Sequence, residues 1–282
     1  MSNGTEPARL ADLRARLTAV GPLVVAFSGG ADSAFLAWMA TDVLGARQVH
    51  CITAVSPSLA PEELADCRSL AEEWGLRYSE VGTDELADPS YAANDGTRCY
   101  HCKTSLMAAI GPVAREEAGG GATIALGVNL DDLGDHRPGQ RAAAEGGAIF
   151  PLVEAGLTKA DVRSLSRRLG LRTWDKPAAA CLASRVPYGT PVSLGVLRSV
   201  AEAESGLRSL GFRQLRVRHY GELARIEVPT DELALVVARH EDVSRAVHQA
   251  GYRYVTLDLD GFRSGNLNGS LRADELVSGG TR

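Results

Sequence analysis

Residues 22–36 read PLVVAFSGGADSAFL. The apolar run Leu23 to Phe27 ends in Ser28-Gly29-Gly30-Ala31-Asp32-Ser33. It then turns apolar again at helical spacing, with Phe35, Leu36, Met39, Ala40 and Val43 on one face of a helix predicted over 33–44. A buried strand, a glycine turn and a helix make one βα unit. Successive backbone N–H groups in such a turn, followed by the positive end of a helix, form an anion site, and phosphate is its natural ligand. A Walker A loop would need Gly, four residues and then Gly-Lys-Ser/Thr, and no such run follows this strand. A site that holds a departing pyrophosphate therefore fits better than one that transfers a γ-phosphate. Ser28, Gly29, Gly30, Asp32 and Ser33 are the candidate nucleotide-binding residues. The plainer alternative is a tight turn with Asp32 and Ser33 as ordinary first-turn residues.

Outward from this unit the pattern repeats. Strands are predicted at 49–56 (VHCITAVS), 77–83 (RYSEVGT) and 123–129 (TIALGVN). The helix PEELADCRSLAEEWG starts at Pro61 and stops at Gly75, and Thr158 caps KADVRSLSRRLG, closed by Gly170. Strands alternating with helices predict an α/β fold with a doubly wound parallel sheet. After VPYGTPVS the rhythm changes to helix (194–210), strands (213–219 and 223–228), helix (231–250) and strand (252–259). That order predicts a smaller C-terminal α+β domain with antiparallel pairing, giving domains 1–186 and 187–282.

The chain has 282 residues, 45% of them hydrophobic, and a formal charge of −5. This size accommodates two cores. The acidic balance speaks against a nucleic-acid-coating protein, whose footprint would be a basic face. No apolar stretch reaches the roughly 18 residues of a membrane span, and the polar start MSNGTEPARLADLRARL lacks a signal peptide's apolar region, so a cytoplasmic location is expected.

Five cysteines, an odd number, do not suggest a disulfide framework. Cys51 on a predicted buried strand and Cys67 on a helix read as packing. RCYHCK places Cys99 and Cys102 three apart, close enough to share one metal, and KPAAACLASRVPYG supplies Cys181 in a loop. Three thiolates leave several readings open. Structural zinc wants four closed ligands; His101 is sterically awkward as the fourth inside the same turn, whereas His50 or His136 could serve. An iron–sulfur cluster on three thiolates keeps one iron free for hydrosulfide. Alternatively, Cys181 is itself a nucleophile, its thiolate favoured by Arg185 and Lys176. Arg216 and Arg218 alternate along a predicted strand, so both face one side, where the guanidinium fork suits a phosphate. Glu204, on the preceding helix, is a weaker candidate metal contact.

The motif SGGADS resembles the loop of the PP-loop ATP pyrophosphatases, which activate a substrate oxygen as an adenylate and release pyrophosphate. The segment ALGVNLDDLGDHRPGQ is similar to their later segment, and the resemblance implies Asn129 and Asp132 near the nucleotide or Mg²⁺. Taken with RCYHCK, RPGQ, KPAAACLASRVPYG, RVRHYGELARIEV and DLDGFRSGNLN, the chain resembles the LarE-type pyridinium-3,5-biscarboxylic acid mononucleotide sulfurtransferases along nearly its whole length. The resemblance implies ATP, Mg²⁺ and a pyridinium mononucleotide as ligands. It implies adenylation of a carboxylate, attack by a sulfur donor, and a thiocarboxylate precursor of the nickel-pincer cofactor of lactate racemase. It also implies one of two sulfur sources: a [4Fe-4S] cluster on Cys99, Cys102 and Cys181, which the CxxC pair favours, or sacrifice of Cys181. A homo-oligomer is expected. Rival readings are a tRNA thiolase, which would depend on RNA, and a nucleotide-binding module without turnover, which would release no pyrophosphate.

Overall fold

The computed structural model describes residues 8–116, 121–134 and 138–263. His136, Arg137 of RPGQ and the end of DLDGFRSGNLN lie outside the described residues. In chain order the elements are α1 (Ala8–Val20), β1 (Leu23–Ala26), α2 (Ala31–Leu44), β2 (Val49–Val55), α3 (Pro61–Glu73), β3 (Tyr78–Gly82), α4 (Pro89–Ala92), α5 (Arg98–Glu116) and β4 (Thr123–Leu126). They continue with α6 (Pro138–Glu145), α7 (Pro151–Glu154), α8 (Lys159–Arg168), α9 (Leu194–Ser209), β5 (Arg216–Tyr220), β6 (Leu223–Glu227), α10 (Leu233–Ala238), α11 (His240–Gln249) and β7 (Tyr254–Leu257).

Contacts divide the chain into two compact units. The first holds Met1–Ser56, Glu62–Asp84 and Cys99–Ala179; the second holds Pro57–Pro61, Glu85–Arg98 and Ala180–Arg282. Two short stretches from the first half of the chain group with the second unit, as does the Cys181 loop. The loop is held there by Asn94, whose side-chain amide donates to the carbonyls of Pro187 and Thr190 at 2.8 Å each. Pairings of this kind, here 93 and 96 residues apart, leave no periodicity in a sequence.

The first unit is the expected α/β layer structure. Its sheet has the order β3-β2-β1-β4, all parallel, with Leu23 opposite Val49 and Thr123. Both faces are covered, which is why β1 reads as an unbroken apolar run. Leu23 and Val25 point into a core with α1, α2, α3 and α8, while Val24 points the other way, to Leu106, Met107 and Ile110 of α5. The chain leaves β1 toward β2 on one side and returns as β4 on the other. The carboxyl ends of β1 and β4 therefore flank a topological switch point, where open α/β sheets bind ligands.

In the second unit β5 pairs antiparallel with β6, as expected, while β6 pairs parallel with β7. The reason is the helical connection: α10 and α11 carry the chain from β6 back to the same end of the sheet before β7 begins. The single helix expected over 231–250 is broken at Arg239 (φ −107°, ψ 24°), which ends α10 and precedes α11. The core lies between the sheet and α9 and α11, with Val217, Ala224, Ile226, Ala203, Leu207, Val243 and Val247 buried in it.

Candidate active site

At the carboxyl end of β1 the backbone turns at Gly29, whose φ of +65° is a left-handed conformation that side chains disfavour. A Cβ there would also stand 2.8 Å from Cys67 Sγ. Gly30 is the N-cap of α2 (φ −74°, ψ 161°) and no side chain caps the helix. The Ser33 hydroxyl instead folds back on the loop, accepting from the Ser28 N–H at 3.2 Å, lying 2.9 Å from Ser28 Oγ and donating to the Gly30 carbonyl at 3.2 Å. A helix start with unspent N–H groups beside a glycine turn is built to receive an anion.

The strand on the other side of the switch point supplies the facing wall. Gly127, just after β4, approaches the α2 backbone so closely that a Cβ would lie 2.6 Å from Ser33 N. Asn129, which is buried, donates from its side-chain amide to Asp32 Oδ1 at 3.3 Å, and its N–H donates to Asp132 Oδ2 at 3.1 Å. The structure thus brings Asp32, Asn129 and Asp132 together. Lys159, the first residue of α8, adds its ammonium on Asp32 and its N–H on Asp131 Oδ2 at 2.9 Å. Gly127 and Lys159 escaped the sequence reading. Gly127 carries no side chain, and Lys159 reads as an ordinary first-turn residue until α8 is seen to start beside the loop. Lys176, expected near Cys181, has its ammonium committed to Asp66, Glu63 and the Gly29 carbonyl.

Cys99 and Cys102 lie on the first turn of α5, on one face because they are three apart. Cys99 is exposed and Cys102 partly so. Gly139 of RPGQ lets α6 press against this turn, since a Cβ there would meet the Cys99 carbonyl at 2.9 Å. The pair is thus helical and supported from behind, and its softness and spacing fit two ligands of one iron–sulfur cluster. Among the described residues, no three His, Cys, Asp or Glu side chains gather as a metal site. His50 is buried with Nε2 2.8 Å from Ser79 Oγ. Cys51 and Cys67 are fully buried as expected, and burial pushes their thiols up to about 12 and about 11.

In the second unit Cys181 is exposed, immediately before the short 3₁₀ turn Leu182–Arg185. Arg185 holds that loop by its backbone: Nη1 donates to the Ala180 carbonyl at 2.6 Å and the Cys181 carbonyl at 3.2 Å, while Nε and Nη2 grip Glu204. Glu204, fully buried, also accepts from the Val217 N–H at 3.1 Å and Arg208 Nη2 at 2.8 Å. Four donors occupy its carboxylate, so Glu204 anchors Arg185.

Arg216 and Arg218 do share one face of β5, opposite Glu227 and Arg225 of β6. Arg218 donates from Nη2 to Glu227 Oε2 at 2.9 Å and from Nη1 to the Ser184 carbonyl at 2.8 Å, while its buried Nε has no hydrogen-bond partner among the described residues. Arg216 differs. It is 6% exposed, its guanidinium stacks 4.7 Å from the Phe262 ring centre, and among the described residues no carboxylate forms an ion pair with it. Burial, with Arg185 and Arg218 nearby, lowers its pKa to about 10. A buried cation with no ion-pair partner among the described residues suits an external anion.

Among the described residues no helix is long and apolar enough to cross a membrane. Residues 13–106 match the NAD synthase family model. The chain is 45% identical over 265 residues to an uncharacterised protein of Synechocystis, covering 92% of this chain and 97% of that one. It is 26% identical over 242 residues to an uncharacterised protein of Methanocaldococcus jannaschii, covering 86% of this chain and 91% of that protein. It is also 38% identical over 268 residues to the pyridinium-3,5-bisthiocarboxylic acid mononucleotide synthase of Lactiplantibacillus plantarum, covering 95% and 96% of the two chains. With both the ATP loop and the Cys181–Arg218 region inside that match, the chain belongs to the family of pyridinium-3,5-bisthiocarboxylic acid mononucleotide synthases.

Proposed function

We propose that this chain is an ATP-dependent sulfurtransferase that converts a carboxylate of pyridinium-3,5-biscarboxylic acid mononucleotide to a thiocarboxylate, a step toward a nickel-pincer cofactor. The observation that carries the reading beyond ATP binding is Arg216, a buried cation that forms no ion pair among the described residues, suited to the phosphate of a mononucleotide. A carboxylate oxygen leaves poorly, so the reaction needs it turned into AMP first. The substrate carboxylate attacks the α-phosphate, and pyrophosphate departs onto the N–H groups of the Ser28–Ser33 loop. Asp32 and Asp132 are the carboxylates that would hold Mg²⁺, which neutralises the pyrophosphate charge. Sulfur then attacks the acyl carbon and AMP leaves.

For the sulfur we infer a [4Fe-4S] cluster that Cys99, Cys102 and Cys181 would hold and which, when bound, supplies an iron open to sulfide. The second reading, sacrifice of Cys181, is favoured by its exposure and by the loop carbonyls fixed on Arg185. The experiment is anaerobic assay with iron and sulfide, following product and the intact mass of the chain. The cluster reading expects repeated turnover, no dehydroalanine at position 181, and loss of both iron and activity in Cys99→Ala. One product per chain with residue 181 desulfurised, and Cys99→Ala fully active, selects the sacrificial route. Pyrophosphate release that requires RNA would contradict both.

A further inference from the structure

Lys176 precedes the Cys181 loop in sequence, yet its ammonium serves the glycine turn. Its side chain is 16% exposed, and Nζ meets Asp66 Oδ2 at 2.5 Å, Glu63 Oε2 at 2.8 Å and the Gly29 carbonyl at 3.1 Å. Burial pulls the ammonium down, but its bonds to Asp66 and Glu63 more than reverse this and keep it charged. Glu63 and Asp66 lie on α3 with Cys67, whose Sγ sits directly against Gly29. Two carboxylates thus fix a lysine, and the lysine fixes one carbonyl of the loop.

The carbonyl and N–H of a trans peptide point in opposite directions. With the Gly29 carbonyl drawn to Lys176, the Gly30 N–H of the same peptide points away from Lys176. Between two glycines such a peptide could otherwise turn over at little steric cost. We propose that Lys176 is a positioning residue of the ATP loop, locking the Gly29–Gly30 peptide so that the Gly30 N–H is presented to the pyrophosphate half of the nucleotide. The assignment rests on the ATP-loop reading above.

The test is calorimetric titration of the full chain with MgATP and, separately, with AMP, which lacks the pyrophosphate. Two variants are needed, because Lys176→Met leaves its carboxylates facing one another. Lys176→Met/Glu63→Gln removes one of them and leaves Asp66 on Arg172, 2.7 Å away. In a folded variant ATP affinity should fall about 10-fold, as for loss of one hydrogen bond to a charged group, with AMP affinity within about 2-fold of wild type. Unchanged ATP affinity, equal loss for both nucleotides, or unfolding of both variants at the assay temperature would overturn the proposal and make Lys176 a residue of the fold. Wild-type chain that binds neither MgATP nor inorganic pyrophosphate would instead overturn the ATP-loop reading.

Discussion

Arg185 and Glu204 form a two-pronged buried ion pair, Nε to Oε1 at 2.8 Å and Nη2 to Oε2 at 3.1 Å, with side chains 6% and 0% exposed. The pair makes Arg185 a rigid bracket, and its remaining Nη1 holds the carbonyls of Ala180 and Cys181. The arginine expected to activate the thiol is therefore built to aim it.

Removing one member of such a pair leaves a buried uncompensated charge, which costs about 3–5 kcal/mol. Glu204→Ala should lower unfolding free energy by roughly that amount in urea denaturation. A loss of less than about 1 kcal/mol, the value of an exposed pair, would contradict the bracket.

Gly127 and Gly30 should separate fold from nucleotide binding. Gly127→Ala forces a Cβ to within 2.6 Å of Ser33 N, so both thermal stability and ATP binding should fall. At Gly30 a Cβ meets only Ser28 Oγ at 3.6 Å, and the φ of −74° suits any residue. Gly30→Val should therefore keep the melting temperature close to wild type yet abolish pyrophosphate release, because the side chain enters the anion's space. Pyrophosphate release at the wild-type rate would remove the ATP loop from the account.

These two glycines mark the boundary of what the sequence made legible. β1, the turn and α2 announce themselves because strand, turn and amphipathic helix are local patterns. The same holds for Thr158, which caps α8 as expected, and the structure adds a capping box with Asp161. Gly127, Lys159 and Lys176 act on residues far away in the chain, and nothing in their neighbourhood states the partner. RCYHCK hid its helix because Cys, Tyr and His propensities are weak and the packing on α6 through Gly139 decides the outcome. Arg216 and Arg218 were legible as a pair, but not their division of labour, which depends on where Glu227 lies across the β5–β6 ladder.

Arg216 should behave as a binding residue rather than a structural one. Its folded pKa, about 10, is depressed from 12.5, so folding is penalised wherever the group is charged, at all pH values below about 10, and the penalty is relieved as pH rises through it. Arg216→Met should then be at least as stable as wild type at neutral pH, the difference narrowing above pH 10. The mononucleotide should raise the melting temperature of wild type more than that of Arg216→Met. Equal stabilisation of both would place the phosphate elsewhere.

Four of the five thiols should divide by reactivity. At roughly pH 8.5, the ordinary thiol value, Cys99 and Cys181 should alkylate readily in the folded chain, while Cys51 and Cys67, raised to about 12 and about 11, stay unmodified until the chain unfolds. Peptide mass mapping reads this directly. Early modification of Cys67 would mean that the wall behind Gly29 is open.

The most direct measurement supplies ATP, Mg²⁺, a sulfide source and pyridinium-3,5-biscarboxylic acid mononucleotide to the anaerobic protein and determines AMP, pyrophosphate and thiocarboxylate together. The account predicts one AMP and one pyrophosphate for each oxygen replaced by sulfur, with no product when either ATP or the mononucleotide is omitted. Pyrophosphate release without the mononucleotide at an undiminished rate, or adenylation with no sulfur in the product under any sulfide supply, would contradict it.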